Sequence, residues 1–226
     1  MAGKEQYAMT AIDDYIQDHI SPEHPYLYRL YRATNTQLLR PRMASGHQQG
    51  LLLRMICQML HPMTVVEIGT YSGYSALAMA SGMPAASRLY TFEINDEQED
   101  FTRPWIEGSP WADRVSMIIG DVEQLLPDMH LPPIDLVFID ANKRDYVAYY
   151  QFLRPMMRPG GWMIADNTLW DGHVTDHAYD RDAQTIGIRA FNDLMAAEAR
   201  AGNIETNILP LRDGLTIIRI PESIQK

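Results

Sequence analysis

Two short runs hold much of the chemistry this chain could perform. Asp140-Ala141-Asn142-Lys143 sets an acid, an amide and an amine within four residues, and Asp166-Asn167 sets a second acid beside a second amide. Each follows an apolar stretch, Ile134–Ile139 and Trp162–Ala165, of the kind found in strands buried on both faces. If those strands are neighbours, Asp140, Asp166 and Asn167 converge as three oxygen donors. Two carboxylates and an amide suit a hard cation such as Mg²⁺ or Ca²⁺, with positions left for water and substrate. Taken singly, each reads better as a cap of a helix or a turn; it is the two acidic strand ends together that favour a metal.

A third run, "VVEIGTYSGYSALAMA", ends another strand on Glu67; Gly69 and Gly73 then bracket a tight turn and Ser75 opens a helix. Glycines there let backbone approach a ligand, and a helix start favours an anion. The dinucleotide pattern G-x-G-x-x-G is absent, and an acid precedes the loop. A carboxylate repels a pyrophosphate and attracts an ammonium or sulfonium, which favours S-adenosylmethionine (SAM) over NAD. Glu93 closes the next strand, 20 positions beyond Gly73, where an acid binds a ribose diol. Its bland alternative is a solvated strand-end acid. Gly120-Asp121-Val122 ends a third strand, and Asp121 there could hold the adenine or cap the following helix.

The elements that must position these residues follow from the pattern. The first 60 residues read as helices over Glu5–His19, Tyr26–Arg40 and Gln48–Leu60, the second stopped by Pro41. Beyond His61-Pro62, strands at Thr64–Ile68, Arg88–Ile94, Val115–Ile119, Ile134–Ile139 and Trp162–Ala165 alternate with helices at Ser75–Ser81, Asp96–Glu107, Asp145–Met157 and Ala183–Ala201. That alternation predicts an α/β fold with a doubly wound parallel sheet. The last two strands, Glu205–Leu209 and Gly214–Ile220, are joined by too few residues for a crossover helix, so they form an antiparallel hairpin at a sheet edge. The expected organisation is one domain over residues 1–226, a helical segment (1–60) followed by the sheet core (61–226). Open α/β sheets bind ligands at the carboxyl ends of their strands, where the polar runs lie.

Composition narrows the function further. A net charge of -10 argues against a broad nucleic-acid surface. Cys57, the single cysteine, sits in an apolar run and reads as a core thiol. The first residues lack the apolar core of a signal peptide, and no apolar run reaches the roughly 18 residues of a membrane span, so the expected location is the cytoplasm. His173-x-x-x-His177 has helical metal spacing but lies among loop-like acids without HExxH, so zinc is not expected.

The chain resembles the cation-dependent, class I SAM O-methyltransferases of the caffeoyl-CoA type, bacterial members included, and more distantly catechol O-methyltransferase. The resemblance rests on "RMASGHQQGLLL", "VEIGTYSGYS", "FIDANKRDYVAYY", "ADNTLWDGHV" and "LPLRDGLTI", which occur in order from Arg42 to Ile220. It implies a Rossmann-like seven-stranded sheet with a reversed last hairpin, and commonly a homodimer. It implies that Met43 and Ser45 touch the cofactor, that Glu67, Gly69 and Ser75 surround its amino-acid end, and that Glu93 binds the ribose. Asp121 and Val122 would flank the adenine. Asp140, Asp166 and Asn167 would hold the metal, Mg²⁺ with Ca²⁺ or Mn²⁺ as alternatives, and Lys143 matches the active-site lysine. One departure stands out: Asn142 replaces an acid that ordinarily helps hold the cofactor's ammonium. Asn142 can still accept a hydrogen bond there, without the charge attraction, so cofactor binding is expected to weaken unless Glu67 compensates.

The implied reaction moves a methyl group from the sulfonium to one hydroxyl of an aromatic vicinal diol, with Asp140 and Lys143 at the reacting oxygen. Trp170 and Tyr146 are candidate walls for a flat ring, and His173 and Arg181 candidate contacts for its tail. Alternatives are a metal-independent methyltransferase, a SAM-binding protein with little turnover and, more distantly, an NAD dehydrogenase.

Overall fold

The apolar runs bury themselves by pairing. The structure is a computed structural model that describes residues 2–222, so the expected domain limits at 1 and 226 lie outside the described residues. Five strands run parallel: β1 (Thr64–Ile68), β2 (Arg88–Glu93), β3 (Val115–Ile119), β4 (Ile134–Ile139) and β5 (Met157–Asp166). Strands β6 (Glu205–Leu209) and β7 (Leu215–Arg219) form the expected antiparallel hairpin, and β7 also pairs antiparallel with β5. The sheet order is β3-β2-β1-β4-β5-β7-β6. The chain thus winds outward in both directions from β1 and β4, and the crevice where ligands bind such sheets opens between their carboxyl ends.

Alternation along the strands feeds two cores. Val65, Leu136 and Phe138 face one side, against α2 (Pro25–Gln37), α3 (Gly46–Leu60) and α4 (Tyr74–Gly82). Val66, Ile68, Val137 and Ile139 face the other, against α7 (Tyr146–Leu153) and α8 (Ala183–Arg200). Helices α2 and α3 therefore belong to the core: Leu30, Leu53 and Cys57 are fully buried. Burial pushes the Cys57 thiol up to about 12, which suits a packing role. Asp135, the one acid inside the β4 run, accepts from the backbone N–H groups of Met63 and Thr64 at 2.8 Å and pairs with Arg158, pinning three strands at the end remote from the crevice. Helices α1 (Ala2–His19), α5 (Glu99–Glu107) and α6 (Val122–Leu125) complete the chain. Among the described residues, no helix is long and apolar enough to cross a membrane.

Several element boundaries differ from expectation, and at α2, α7 and β5 the reason is plain. Helix α2 ends at Gln37, not Arg40: the side chains of Thr34, Asn35 and Thr36 bond back to carbonyls one turn earlier, and Pro41 disfavours helical backbone before it. Helix α7 ends at Leu153 because Pro155 follows, and the chain turns directly into β5. Strand β5 begins at Met157, five residues early. Pro159-Gly160-Gly161 reads as a turn in sequence, yet it forms an irregular start where pairing jumps from Ile134–Met157 to Leu136–Trp162.

Candidate active site

The crevice begins at Gly69, which follows β1 at φ 95°. A Cβ there would fall 2.0 Å from the carbonyl oxygen of Asp140, so only glycine lets the ends of β1 and β4 approach. Glu67, one turn of strand below, is fully buried. Its carboxyl accepts from the Ser75 hydroxyl at 2.6 Å and the Thr91 hydroxyl at 2.5 Å. Burial outweighs those two bonds, and nearby Asp140 and Glu93 add repulsion, so its pKa rises to about 8. Glu93 ends β2 and accepts from the backbone N–H groups of Tyr71 at 2.8 Å and Asn95 at 2.9 Å. Both its oxygens keep lone pairs for a further partner. Met43, Ser45, Gly69, Ser75 and Asp140 line one cleft of about 200 Å³, together with Thr70, Tyr71 and Ser72. Five of the expected cofactor residues therefore share one wall, and Glu67 lies beneath it behind Ser75.

The second half of the site is built by β4 and β5. Lys143 is buried, with its Nζ 2.8 Å from Asp140 Oδ1. The ammonium lies 5.2 Å from the centre of the Tyr146 ring and 5.9 Å from that of Trp170. Burial alone would lower its pKa, but Asp140 and Tyr146 overcome that and raise it, so Lys143 is held charged. Asp166 is also buried: Gln49 Nε2 donates to Oδ2 at 2.6 Å and the Asn167 backbone N–H donates to Oδ1 at 2.7 Å. Burial and then Asp140 raise the Asp166 pKa to about 6. Asn167 follows in the left-handed region at φ 58°, which asparagine tolerates better than most residues.

Asp140, Asp166 and Asn167 suit a hard cation by their chemistry. The donors are all oxygen, and the two carboxylates are close enough to repel. Lys143 pairs with Asp140, while the hydrogen bonds to Asp166 come from the neutral Gln49 amide and Asn167 N–H. Among the described residues, no three His, Cys, Asp or Glu side chains gather at metal-binding distance, so any such site depends on the Asn167 amide.

Other expected residues stand elsewhere. Asn142 is exposed; its amide donates to Asp145 at 2.6 Å and its oxygen caps the turn at Arg144. Asp121 caps α6 through the Glu123 N–H at 3.0 Å, and Val122 packs into the second core. Tyr146 is no wall for a ring: it is fully buried, donates to the Asp166 carbonyl oxygen at 2.9 Å, and stacks edge-on against Phe191. Its place is the floor beneath Lys143. Its apolar neighbours and period in "DYVAYY" fit a core position as well as a mouth, and sequence alone does not separate them. Trp170 stays half-buried beside Lys143 at φ 49°. His173 stacks on Tyr179 at 3.5 Å, whereas His177 is exposed and paired with Asp180 and Arg181 is exposed.

Two residues at the site escape sequence reasoning. Thr91 is a β2 core position by pattern, yet its hydroxyl serves Glu67. Gln49 is a buried amide on α3 whose partner lies 117 residues away. Its only signal is an uncharged polar residue on the otherwise apolar inward face of α3.

The O-methyltransferase family profile matches residues 17–220. A catechol O-methyltransferase of Niastella koreensis is 30% identical over 192 residues, covering 83% of this chain and 85% of that protein. Caffeoyl-CoA O-methyltransferase 1 of Eucalyptus globulus is 30% identical over 187 residues, covering 78% and 74%. Among solved structures, an O-methyltransferase of Bacillus cereus in complex with SAH superposes with a TM-score of 0.84 at 28% identity, covering 93% of this chain and 97% of that one.

Proposed function

The chain belongs to the O-methyltransferase family, and from that premise we propose that it transfers a methyl group from SAM to one hydroxyl of a catechol-like small molecule with a divalent cation assisting. The observation that carries this reading is the meeting of Asp140, Lys143 and Asp166 at the ends of β4 and β5, beside the cleft that opens at Gly69. Relatives named for catechol and caffeoyl-CoA support a small aromatic acceptor, and the SAH-bound neighbour supports SAM as donor.

In the reaction the carbon–sulfur bond of the sulfonium breaks and its electron pair stays on sulfur as the neutral thioether of SAH, a carbon–oxygen bond forms, and the hydroxyl proton passes to solvent. A phenol has a pKa of about 10, so little is ionised at neutral pH. A cation held by Asp140, Asp166 and Asn167 would act as a Lewis acid on the hydroxyl. Lys143, kept charged, stabilises the oxyanion by its field; a protonated amine does not also accept the proton. Glu67, protonated in the free protein, would give up its proton to face the donor's ammonium with a carboxylate beneath Ser75. Glu93 offers its free lone pairs to the ribose, and Met43 and Ser45 cover the cofactor. Trp170 flanks the acceptor ring. The proposal includes a homodimer, on resemblance alone, and a cytoplasmic location, to which the buried Cys57 thiol is suited.

A second reading, transfer without a metal, is favoured by the Lys143–Asp140 pair at 2.8 Å, which already neutralises one acid. Asp166→Ala separates the two. A cation-assisted enzyme loses turnover by at least a hundredfold while SAH affinity, read by calorimetry, stays within threefold. Turnover within threefold of wild type would rule the cation role out.

A further inference from the structure

The hairpin between β6 and β7 carries an arginine that neither the fold nor the proposed chemistry requires. Arg212 sits at φ 51°, a left-handed conformation that side chains rarely adopt, in a turn that also contains Gly214 at φ 87°. Its guanidinium reaches across the molecule. It donates to the carbonyl oxygens of Ala44, at 3.1 Å, and Ser45, in the segment that walls the donor cleft. It also donates to Gln49 Oε1 at 3.3 Å.

An arginine can only donate, so Gln49 turns its oxygen to Arg212 and its NH₂ to Asp166, where it donates at 2.6 Å. The same turn is tied to the other half of the site through backbone. Thr168 donates to Gly214 O at 3.0 Å and Leu169 to Asp213 O at 2.7 Å, directly after Asp166-Asn167. A Cβ on Gly214 would meet Leu169 N at 2.7 Å, so this docking is tight.

We infer that Arg212 is a positioning residue that joins the two halves of the site: it fixes the Ala44–Ser45 segment over the methyl donor and, through Gln49, aims the Asp166 carboxylate on the acceptor side. The inference rests on the methyltransferase site proposed above. Donor binding and acceptor activation would then depend on one surface turn, and Gln49 would serve only the second.

Two variants and three readouts test this. Residue-resolved hydrogen exchange on the ligand-free protein needs no ligand at all. In Arg212→Ala, the Met43 and Ala44 amides, which bond to Arg40 and Pro41 carbonyls, should exchange at least tenfold faster while amides around Leu53 do not change. SAH affinity in the same variant should fall about tenfold, with Arg212→Lys recovering part of the loss. In Gln49→Leu, SAH affinity should stay within threefold while Mg²⁺ affinity falls about 10–100-fold, as for other outer partners of ligand carboxylates. Wild-type exchange at Met43 and Ala44 in Arg212→Ala overturns the inference, as does equal loss of SAH and Mg²⁺ affinity in Gln49→Leu. If the wild-type protein binds no SAH, the proposed function fails instead, and the exchange result alone decides whether Arg212 holds the segment.

Discussion

At the scale of single residues, the site stores its unusual properties in buried carboxyls. Glu67 holds a proton in the fold that it gives up in the unfolded chain, about 8 against 4.5. The folded pKa is the higher one, so stability falls as pH rises from the unfolded value towards 8 and then levels. The loss is on the order of 5 kcal/mol. Glu67→Gln mimics the protonated acid and should flatten that dependence in denaturant titrations between pH 5 and 8. A cationic donor favours the ionised acid, so wild-type protein should release up to one proton on binding SAM at pH 7. Calorimetry in buffers of different ionisation enthalpy measures this, and an equal release from Glu67→Gln would remove Glu67 from the account. Asn142 is a different case. Its amide is spent on Asp145, and its loop faces solvent. Asn142→Asp would set two carboxylates side by side. It should change SAH affinity by less than threefold and lower the melting temperature; a tenfold gain in affinity would show that the residue does face the cofactor.

At the scale of elements, α8 is the less obvious support of the chemistry. Gln184 accepts the Lys143 backbone N–H at 3.1 Å, and Gly187 lets the helix lie against that turn. A Cβ on Gly187 would stand 2.4 Å from the Lys143 carbonyl oxygen, which is backbone and cannot swing away. Gly187→Ala should therefore cost about 1–3 kcal/mol of stability and lower kcat with SAH affinity unchanged; a variant as active as wild type would mean that the Lys143 turn tolerates displacement. What was legible in sequence divides along the same line. The strand runs are plain because "TVVEI" and "IDLVFI" are short, mostly apolar and rich in β-branched residues, and the polar ends of β1, β4 and β5 mark site positions, whereas Asp121 after β3 caps a helix. Contacts between distant elements are not plain, because Gln49, Gly187 and Arg212 owe their roles to partners that local patterns do not name. Boundaries slipped where side chains compete with backbone, as at Thr34–Thr36, or where a strand contains its own turn residues, as at Pro159–Gly161. Tyr146, a candidate ring wall by sequence, lies in the core, since both positions accept an aromatic residue beside Lys143.

At the scale of the whole molecule, the sheet order does the assembling. The reversal between β1 and β4 brings Gly69 against Asp140, and the neighbouring β5 adds Asp166. The segment before α3 lines the cleft with Met43 and Ser45, and the C-terminal hairpin reaches both halves. A cleft thus lies beside a pair of repelling carboxylates, the arrangement that the proposed cation-assisted methyl transfer requires. The most direct test is methyl transfer from SAM to a panel of catechol-containing acceptors, measured with Mg²⁺ and with excess EDTA. Methylated product that forms with Mg²⁺, vanishes on chelation and returns when Mg²⁺ is restored is the predicted result. Undiminished methylation in excess EDTA, or no methylation of any catechol while SAH still binds, would contradict it.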